Sequence, residues 1–398
     1  HVGNSARGKD LNPEASNLAT DDNYLESVNT YITENNIKAD YLAIPGDITN
    51  KATPAEFSLA SSSILKIAET LGVPKNRIFY VPGNHDKNWE IAKALAASDL
   101  EQKTETSYAP LMNDELIFKK LIQAEHVSGH YDKKPYYTSW LFDDLIAIGI
   151  NSSVHDAPEA ITHHGLVRKD VIESLSKELP KYKNDNRLKI LIVHHHPITY
   201  SDPIAEEADF SGMTNAAELT NLLSKERFDF IIHGHKHNPC VQSLTGNHGH
   251  PLVILCSGSF SSLLDARWSG TVQNQFHLLK FSSRCPDKKT ARGHLSSWSY
   301  LCAHGWTKSK NDSHGIDHTL GFGAYHDPTT LKNEISSIII ESVENNTIFE
   351  WSEILETNPE LTYVSKEMII TVLEEIKEEE NFYLRPADEL ANYILFKR

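Results

Sequence analysis

The chain has 398 residues, of which 39% are hydrophobic and 23% are charged, and its formal net charge is −16. This length suffices for one large domain with an appendage or for two domains, and the acidic balance disfavours loose nucleic-acid binding without excluding phosphoester substrates. No apolar stretch approaches the length of a membrane span and the first residues carry no signal-peptide pattern, so we expect no membrane partner and, by default, a cytoplasmic location.

The first elements are predicted to be helix, strand and helix. Residues 21–36 have apolar side chains at helical spacing, and an apolar strand at 41–45 ends at Gly46-Asp47. Thr53-Pro54-Ala55-Glu56 is a capping box with proline at the first helical position. It predicts a helix that continues to near residue 72.

A second strand is predicted at 78–81 and leads into Gly83-Asn84-His85-Asp86. This strand, helix and strand order favours parallel strands with polar loops at their carboxyl ends, where open α/β sheets place their sites. Two helical segments are predicted between residues 88 and 125 as an insertion over the site. Residues 136–141 and 145–150 predict a β-hairpin.

Two further strands end in histidine-rich strings. The strand at 188–193 ends at His194-His195-His196-Pro197, and the strand at 228–232 precedes Gly234-His235-Lys236-His237. Later runs of strand residues suggest a second sheet packed on the first. The four cysteines lack CxxC spacing, so we predict neither a zinc knuckle nor a disulfide framework, but buried thiols in a reducing compartment.

The character of the chain changes beyond residue 322. Residues 354–380 and 386–396 are predicted to be helical, and their many glutamates are expected on a solvated face. We therefore predict one domain over residues 1–330 and an acidic helical C-terminal region over 331–398. These helices are a candidate binding region for a protein partner.

The polar strings occur in one order, each after an apolar run: the strings at Asp47, at Asn84, at His194 and at His235. This order resembles the calcineurin-like metallophosphoesterase superfamily, whose pattern is D-x-H, GD, GNH[DE], a histidine at a strand end, and GHxH. The resemblance covers roughly residues 1–281. It implies an α/β fold in which two mixed β-sheets form a sandwich flanked by helices (α/β/β/α), with the C-terminal helical region as an appendage.

The resemblance also implies a centre with two metal ions. Within the family the GD aspartate bridges both metals, which maps onto Asp47, and the GNH asparagine binds one metal through its amide oxygen, which maps onto Asn84. His235 and His237 would reach neighbouring metals, since they point to the same side of an extended segment. Nitrogen and carboxylate ligands suit Mn, Fe or Zn.

Two ligand positions need separate treatment. Among the three consecutive histidines we expect His194 to be the ligand, because it emerges where the apolar strand ends, and His195 is the alternative. The chain begins with His1-Val2-Gly3, which resembles the end of a D-x-H-x-G string, so His1 would be a metal ligand and the preceding aspartate is missing. We therefore expect the sequence to be truncated within this motif.

The implied chemistry is in-line attack on phosphorus by a metal-bridging hydroxide, between metals roughly 3.5–4 Å apart. His85 is the residue that the family uses to stabilise or protonate the leaving oxygen. Asp86 would orient His85 through its ring nitrogen. The other histidines, including His163, are expected to be loop or surface residues.

The four residues after Asp47 indicate the substrate class. Phosphoprotein phosphatases of the superfamily carry an arginine in a GD-x-x-[DE]-RG string, whereas this chain has Ile48-Thr49-Asn50-Lys51. We therefore predict a metal-dependent phosphodiesterase, with a nucleotide as one candidate substrate. A nuclease is the second enzyme hypothesis, which the acidic balance weakens, and a non-catalytic scaffold of the same fold for protein interaction is the third.

Overall fold

The computed structural model describes residues 24–95, 136–156, 163–199, 211–245, 248–262, 272–285, 290–301, 304–310, 315–324, 327–345, 348–380, 382–387 and 389–397. The chain divides into two compact units. The first holds residues 1–276, 298–307 and 311–315, and the second holds residues 277–297, 308–310 and 316–398. The predicted domain boundary near residue 330 stays a prediction.

The described residues form eight α-helices and four β-sheets. The predicted mixed α/β class with a C-terminal helical region is therefore confirmed. None of the helices in these ranges is long and apolar enough to cross a membrane.

The first unit begins with the predicted βαβ arrangement. Helix α1 (Tyr24–Glu34) is followed by strand β1 (Leu42–Ile44), helix α2 (Pro54–Leu71) and strand β2 (Ile78–Tyr80), and β2 pairs with β1 in parallel. The capping box is present, since the Thr53 side chain accepts a hydrogen bond from Glu56 N at 3.3 Å and the Glu56 carboxylate accepts one from Thr53 N at 3.1 Å. Helix α3 follows at Trp89–Ala94, and the rest of the predicted insertion lies outside the described residues.

A six-stranded sheet forms the centre of the first unit. Its strands, in the order β3-β4-β5-β6-β8-β7, are β3 (Tyr137–Leu141), β4 (Leu145–Ile150), β5 (Leu188–Val193), β6 (Phe230–His233), β7 (Cys240–Thr245) and β8 (Pro251–Cys256). The four inner strands are parallel, and β3 and β7 pair antiparallel at the edges. Every residue of β4 and β8 is buried, as expected for strands covered on both faces.

Helices α4 (Lys169–Glu178) and α5 (Ala216–Lys225) contribute Val171, Leu175 and Leu219 to the core of this sheet. A second sheet holds β9 (Gln275–Arg284), β10 (Ala291–Leu301), β11 (Gly305–Lys308) and β12 (Thr319–Phe322). Its order is β11-β10-β12, and β9 also pairs with β10. The predicted run of late strands is confirmed.

The second unit has its own apolar core. Helices α6 (Pro328–Asn345), α7 (Trp351–Thr357) and α8 (Lys366–Glu379) pack with an antiparallel sheet of order β13-β15-β14. Its strands are β13 (Ile348–Glu350), β14 (Phe382–Arg385) and β15 (Ile394–Lys397).

The predicted helix over 386–396 is wrong. Residues Leu390–Asn392 form one 3₁₀ turn, and β15 begins at Ile394. The apolar run is too short for a helix, and in the structure its burial alternates as in a strand, with Leu395 buried and Ile394 and Phe396 only partly buried. Pairing with β13 and β14 satisfies its backbone.

Candidate metal centre

The four polar strings lie just after the carboxyl ends of β1, β2, β5 and β6. Because β1 and β2 are parallel to each other, as are β5 and β6, each pair presents its strings at one sheet edge. The loops that follow carry the predicted side chains.

Close approach of these loops requires glycine at two positions. Gly46 has a φ of +96°, and a Cβ there would lie 2.6 Å from His194 Nδ1. A Cβ at Gly83 would collide with Asp47 Oδ1. The backbone can therefore bring Asp47 against the Gly83 turn only if positions 46 and 83 are both glycine.

Asp47, Asn84 and His194 meet at one point. His194 Nε2 lies 3.0 Å from Asn84 Oδ1 and 3.3 Å from Asp47 Oδ2. On the other side of the ring, His194 Nδ1 donates a hydrogen bond to the carbonyl oxygen of Pro45 at 2.8 Å, since a carbonyl can only accept. Nε2 is therefore the nitrogen directed at the two oxygens.

These three atoms need a cation among them. Burial alone would lower the pKa of His194, but the Asp47 carboxylate raises it above the usual value, so a proton on Nε2 fills this role. Burial would raise the pKa of Asp47, yet His194 and His85 hold it well below its usual range. A metal ion can take the place of such a proton, because metal binding displaces protons from its ligands.

His235 and His237 follow β6 in the left-handed region, with φ of +68° and +51°. The His235 ring lies 5.1 Å from the His194 ring and 4.5 Å from the His195 ring, measured between centroids. Removal from water and the neighbouring His195 lower the pKa of His235, and burial lowers the pKa of His237 to about 4. Both rings are therefore neutral near pH 7, which is the form that binds metals.

His195 is buried beside this group. Its Nδ1 and its backbone N–H lie 2.8 Å and 3.1 Å from the hydroxyl oxygen of Ser152. Its Nε2 is buried without a hydrogen-bond partner, and burial, followed by His194, lowers the pKa of the ring well below its usual value. A buried imidazole nitrogen without a partner fits a ligand-binding role, so His195 stays the alternative to His194.

His85 is fixed by its backbone and by its ring. Its N–H donates to Asp47 Oδ1 at 2.9 Å, and its Nδ1 donates to the carbonyl oxygen of Asn50 at 3.1 Å. The ring also stacks on Trp89, with 5.9 Å between centroids. The Asn50 contact assigns the proton to Nδ1, so Nε2 is the basic nitrogen of the neutral ring.

The prediction that Asp86 orients His85 through its ring nitrogen is wrong. The buried carboxylate of Asp86 accepts hydrogen bonds from two loops and from strand β2. The donors are Ile48 N at 3.3 Å, Thr49 N and Oγ1 at 2.9 Å, Gly83 N at 3.0 Å and Tyr80 OH at 2.7 Å. Burial and the nearby Asp47 charge raise the pKa of Asp86. Asp86 therefore joins the two loops to each other, and His85 is oriented by Asn50 instead.

The sequence reasoning missed Trp89 and His163. The Trp89 ring lies 4.6 Å from the His163 ring, and its Nε1 donates to the carbonyl oxygen of Asn84 at 2.8 Å. His163 Nδ1 lies 2.8 Å from the buried carboxylate of Asp156. The available signal for Trp89 was its position three residues after the GNHD string. His163 is distant in sequence from that string, so no local signal pointed to it.

The donor set suits a metal. In the described part of the chain, no three His, Cys, Asp or Glu side chains already form a metal-binding group. The group at Asp47 instead includes the amide oxygen of Asn84. Carboxylate, amide and imidazole donors with a fixed tautomer fit a borderline divalent metal. The remaining predicted ligand, His1, lies outside the described residues.

Two family models match the chain. The model described as calcineurin-like phosphoesterase matches residues 18–239, and the model wHTH-Calcineurin_assc matches residues 320–378. No curated protein sequence matches the chain significantly.

Several solved structures resemble the chain at low identity. Purple acid phosphatase PPD1 from yellow lupin (Lupinus luteus) seeds has a TM-score of 0.43 and 13% identity over 70% of this chain and 47% of its own. A dimetal phosphatase from Danio rerio has a TM-score of 0.39 and 11% identity, over 82% of this chain and 96% of its own. GAP50, the anchor in the inner membrane complex of Plasmodium, has a TM-score of 0.34 and 14% identity, over 74% and 82%. The chain thus covers about half of the length of the lupin enzyme (47%).

Proposed function

Because the chain belongs to the calcineurin-like phosphoesterase family, as its polar strings predicted, we propose that it is a dinuclear metal-dependent phosphodiesterase. The observation that carries this proposal is the meeting of His194 Nε2 with Asn84 Oδ1 at 3.0 Å and Asp47 Oδ2 at 3.3 Å. Three electron-rich atoms held this close fit a bound cation. The same loops hold His85 against Asp47.

Asp47, Asn84, His194, His235 and His237 would hold the metal ions, and the family resemblance adds His1 to this set. When bound, the metal ions would supply positive charge at the phosphate and activate the attacking water. The physiological metal is proposed to be Mn, Fe or Zn from the donor types.

His85 is proposed to donate a proton to the leaving oxygen. Its Nδ1 is committed to the Asn50 carbonyl, so the exchangeable proton of the imidazolium is on Nε2. The Asp47 contact to its backbone N–H at 2.9 Å ties the position of His85 to the proposed bridging carboxylate. The phosphoester is thus held and protonated by residues of adjacent loops.

The experiment is metal analysis of the full chain, combined with a diester assay on the same sample. We expect about two equivalents of metal and hydrolysis of bis-p-nitrophenyl phosphate that a chelator abolishes. H85N should lower kcat by about 10²–10⁴-fold with metal retained, and H248N, an exposed loop histidine, is the matched control. Metal-free, inactive protein that cannot be reconstituted would instead favour the scaffold.

For the second unit we propose a protein partner rather than nucleic acid. Its match to wHTH-Calcineurin_assc lies at residues 320–378, but exposed glutamates occupy the last turns of α8 and the residue that follows it: Glu374, Glu375, Glu378, Glu379 and Glu380. A helix with this charge repels phosphate backbones. Salt-dependent binding of duplex DNA by the full chain would contradict this and would favour the nuclease. A cytoplasmic location stays a prediction.

A further inference from the structure

Cys240 and Cys256 face each other across two neighbouring strands. Cys240 is the first residue of β7, Cys256 is the last residue of β8, and the register of this antiparallel pair places them directly opposite. Both are unoxidised thiols in this structure, and Cys256 is buried while Cys240 is partly exposed. Their separation of sixteen positions along the chain gave no sign of this pairing.

The backbone geometry of such a pair suits a disulfide. Directly opposite residues of antiparallel strands have Cα atoms about 4.5–5.5 Å apart, and their side chains point to the same face. Disulfides bridge Cα atoms about 4.4–6.8 Å apart. The two sulfurs can therefore join without a shift of either strand.

A third residue, His233, lowers the pKa of the Cys256 thiol. His233, opposite Cys256 on the neighbouring strand β6, is hydrogen-bonded to the Cys256 thiol, as is Cys240. Burial would raise the pKa of Cys256, but Cys240 and His233 together bring it well below the usual thiol range. A thiolate beside a second thiol is the arrangement that resolves a sulfenic acid into a disulfide.

We propose that Cys240 and Cys256 form a peroxide-reactive dithiol that closes to a reversible disulfide across β7 and β8. Cys240, the more exposed residue, first passes its proton to the hydrogen-bonded Cys256 thiolate, and the Cys240 thiolate attacks the O–O bond of hydrogen peroxide. Cys240 becomes a sulfenic acid, and the released hydroxide takes the proton from Cys256 to become water, which leaves Cys256 as the thiolate. The Cys256 thiolate attacks this sulfur and expels hydroxide, which a proton converts to the second water. Each sulfur loses one electron, and the peroxide takes up both electrons and two protons, one from Cys240 and one from solvent.

The site lies at the end of the loop that carries two proposed metal ligands. Residues 234–239 connect β6 to Cys240 and include His235 and His237. Pro239, the last residue of this loop, also packs closely on Gly258, two residues after Cys256, because a Cβ at Gly258 would lie 2.8 Å from Pro239 Cδ. The disulfide would thus fix the β7 end of this loop to the neighbouring strand β8. It does not depend on the proposed phosphodiesterase activity.

The test is peptide mapping of the reduced full chain after a small molar excess of hydrogen peroxide. After quenching and alkylation with N-ethylmaleimide, we expect a cross-linked peptide pair holding Cys240 and Cys256, and a loss of two alkylated thiols that dithiothreitol restores. C285S should form the same cross-link, since Cys285 lies just after β9, outside the β7–β8 pair.

Two results would overturn the proposal. One is the recovery of both peptides as alkylated monothiols while Cys285 or Cys302 is oxidised. The other is oxidation of Cys240 to sulfinic or sulfonic acid without a cross-link. Because the wild-type chain gives the answer, the outcome does not depend on the folding of a cysteine variant.

Discussion

The carboxylate of Asp86 accepts a hydrogen bond from the backbone N–H of Thr49 at 2.9 Å, and so ties the loop after β2 to the loop after β1. The Thr49 hydroxyl extends this tie, since it contacts Asp86 Oδ1 at 2.9 Å and the carbonyl oxygen of His85 at 3.0 Å. Asp47 and His85 lie on these two loops. The relative position of a proposed metal ligand and a proposed acid is therefore set by the buried Asp86 carboxylate, whose hydrogen bonds go to other residues of these loops and to Tyr80.

We expect D86N to lower the free energy of unfolding by about 3 kcal/mol, because its amide N–H₂ would face donors that the carboxylate now accepts from. The measurement is urea denaturation of both proteins, and their free energies of unfolding are compared provided that their m-values agree. D40N, at an exposed aspartate, should stay within about 0.5 kcal/mol of the wild type. An unchanged unfolding free energy with selective loss of turnover would restore the role of Asp86 as the group that orients His85.

The two outcomes for Asp86 and for the capping box at Thr53 separate what sequence can and cannot predict. The capping box depends on residues three apart, so the start of α2 is visible in the sequence. The partners of Asp86 include Thr49, 37 positions away, and only the parallel pairing of β1 with β2 brings them together. Sequence adjacency suggested His85, and tertiary contacts decided otherwise.

The same distinction applies elsewhere in the chain. The order of the polar strings predicted that Asp47, Asn84 and His194 would meet, because each follows a strand. The facing of Cys240 and Cys256 depends on the register of β7 with β8, which composition does not specify. The strand β15 was predicted as a helix because its three apolar and aromatic residues carry too little periodicity to distinguish a helix from a strand.

The choice between His194 and His195 can be tested through metal content. His194 Nε2 faces Asp47 and Asn84, whereas His195 is held by Ser152. We expect H194N to lose at least one equivalent of metal, and H195N to keep metal affinity within about tenfold of the wild type. Elemental mass spectrometry after dialysis measures both. The reverse order of losses would make His195 the ligand.

Trp89 is expected to act as a positioning residue for His85. W89F keeps a ring against His85 but loses the donor to the Asn84 carbonyl, which lies at 2.8 Å. One net hydrogen bond of about 1 kcal/mol corresponds to a roughly fivefold lower kcat. W89L should lose more, because the stacking on His85 is also removed. KM and metal content should stay unchanged in both variants, and an unchanged kcat in W89L would contradict the role.

The last prediction concerns the cost of a side chain at Gly46. G46A forces an alanine into a φ of +96° and puts its Cβ 2.6 Å from His194 Nδ1 and 2.7 Å from Gly83 N. Gly249 is the matched control, since it has a φ of +72° but no atom lies within 4 Å of the position that a Cβ would take there. We expect G249A to cost about 1 kcal/mol for backbone strain alone, and G46A to cost about 3 kcal/mol or more and to lose metal. Equal costs in denaturant titrations would mean that the loop at Asp47 relaxes around the methyl group, and the close approach of Asp47 to the Gly83 turn would then not be required for the centre.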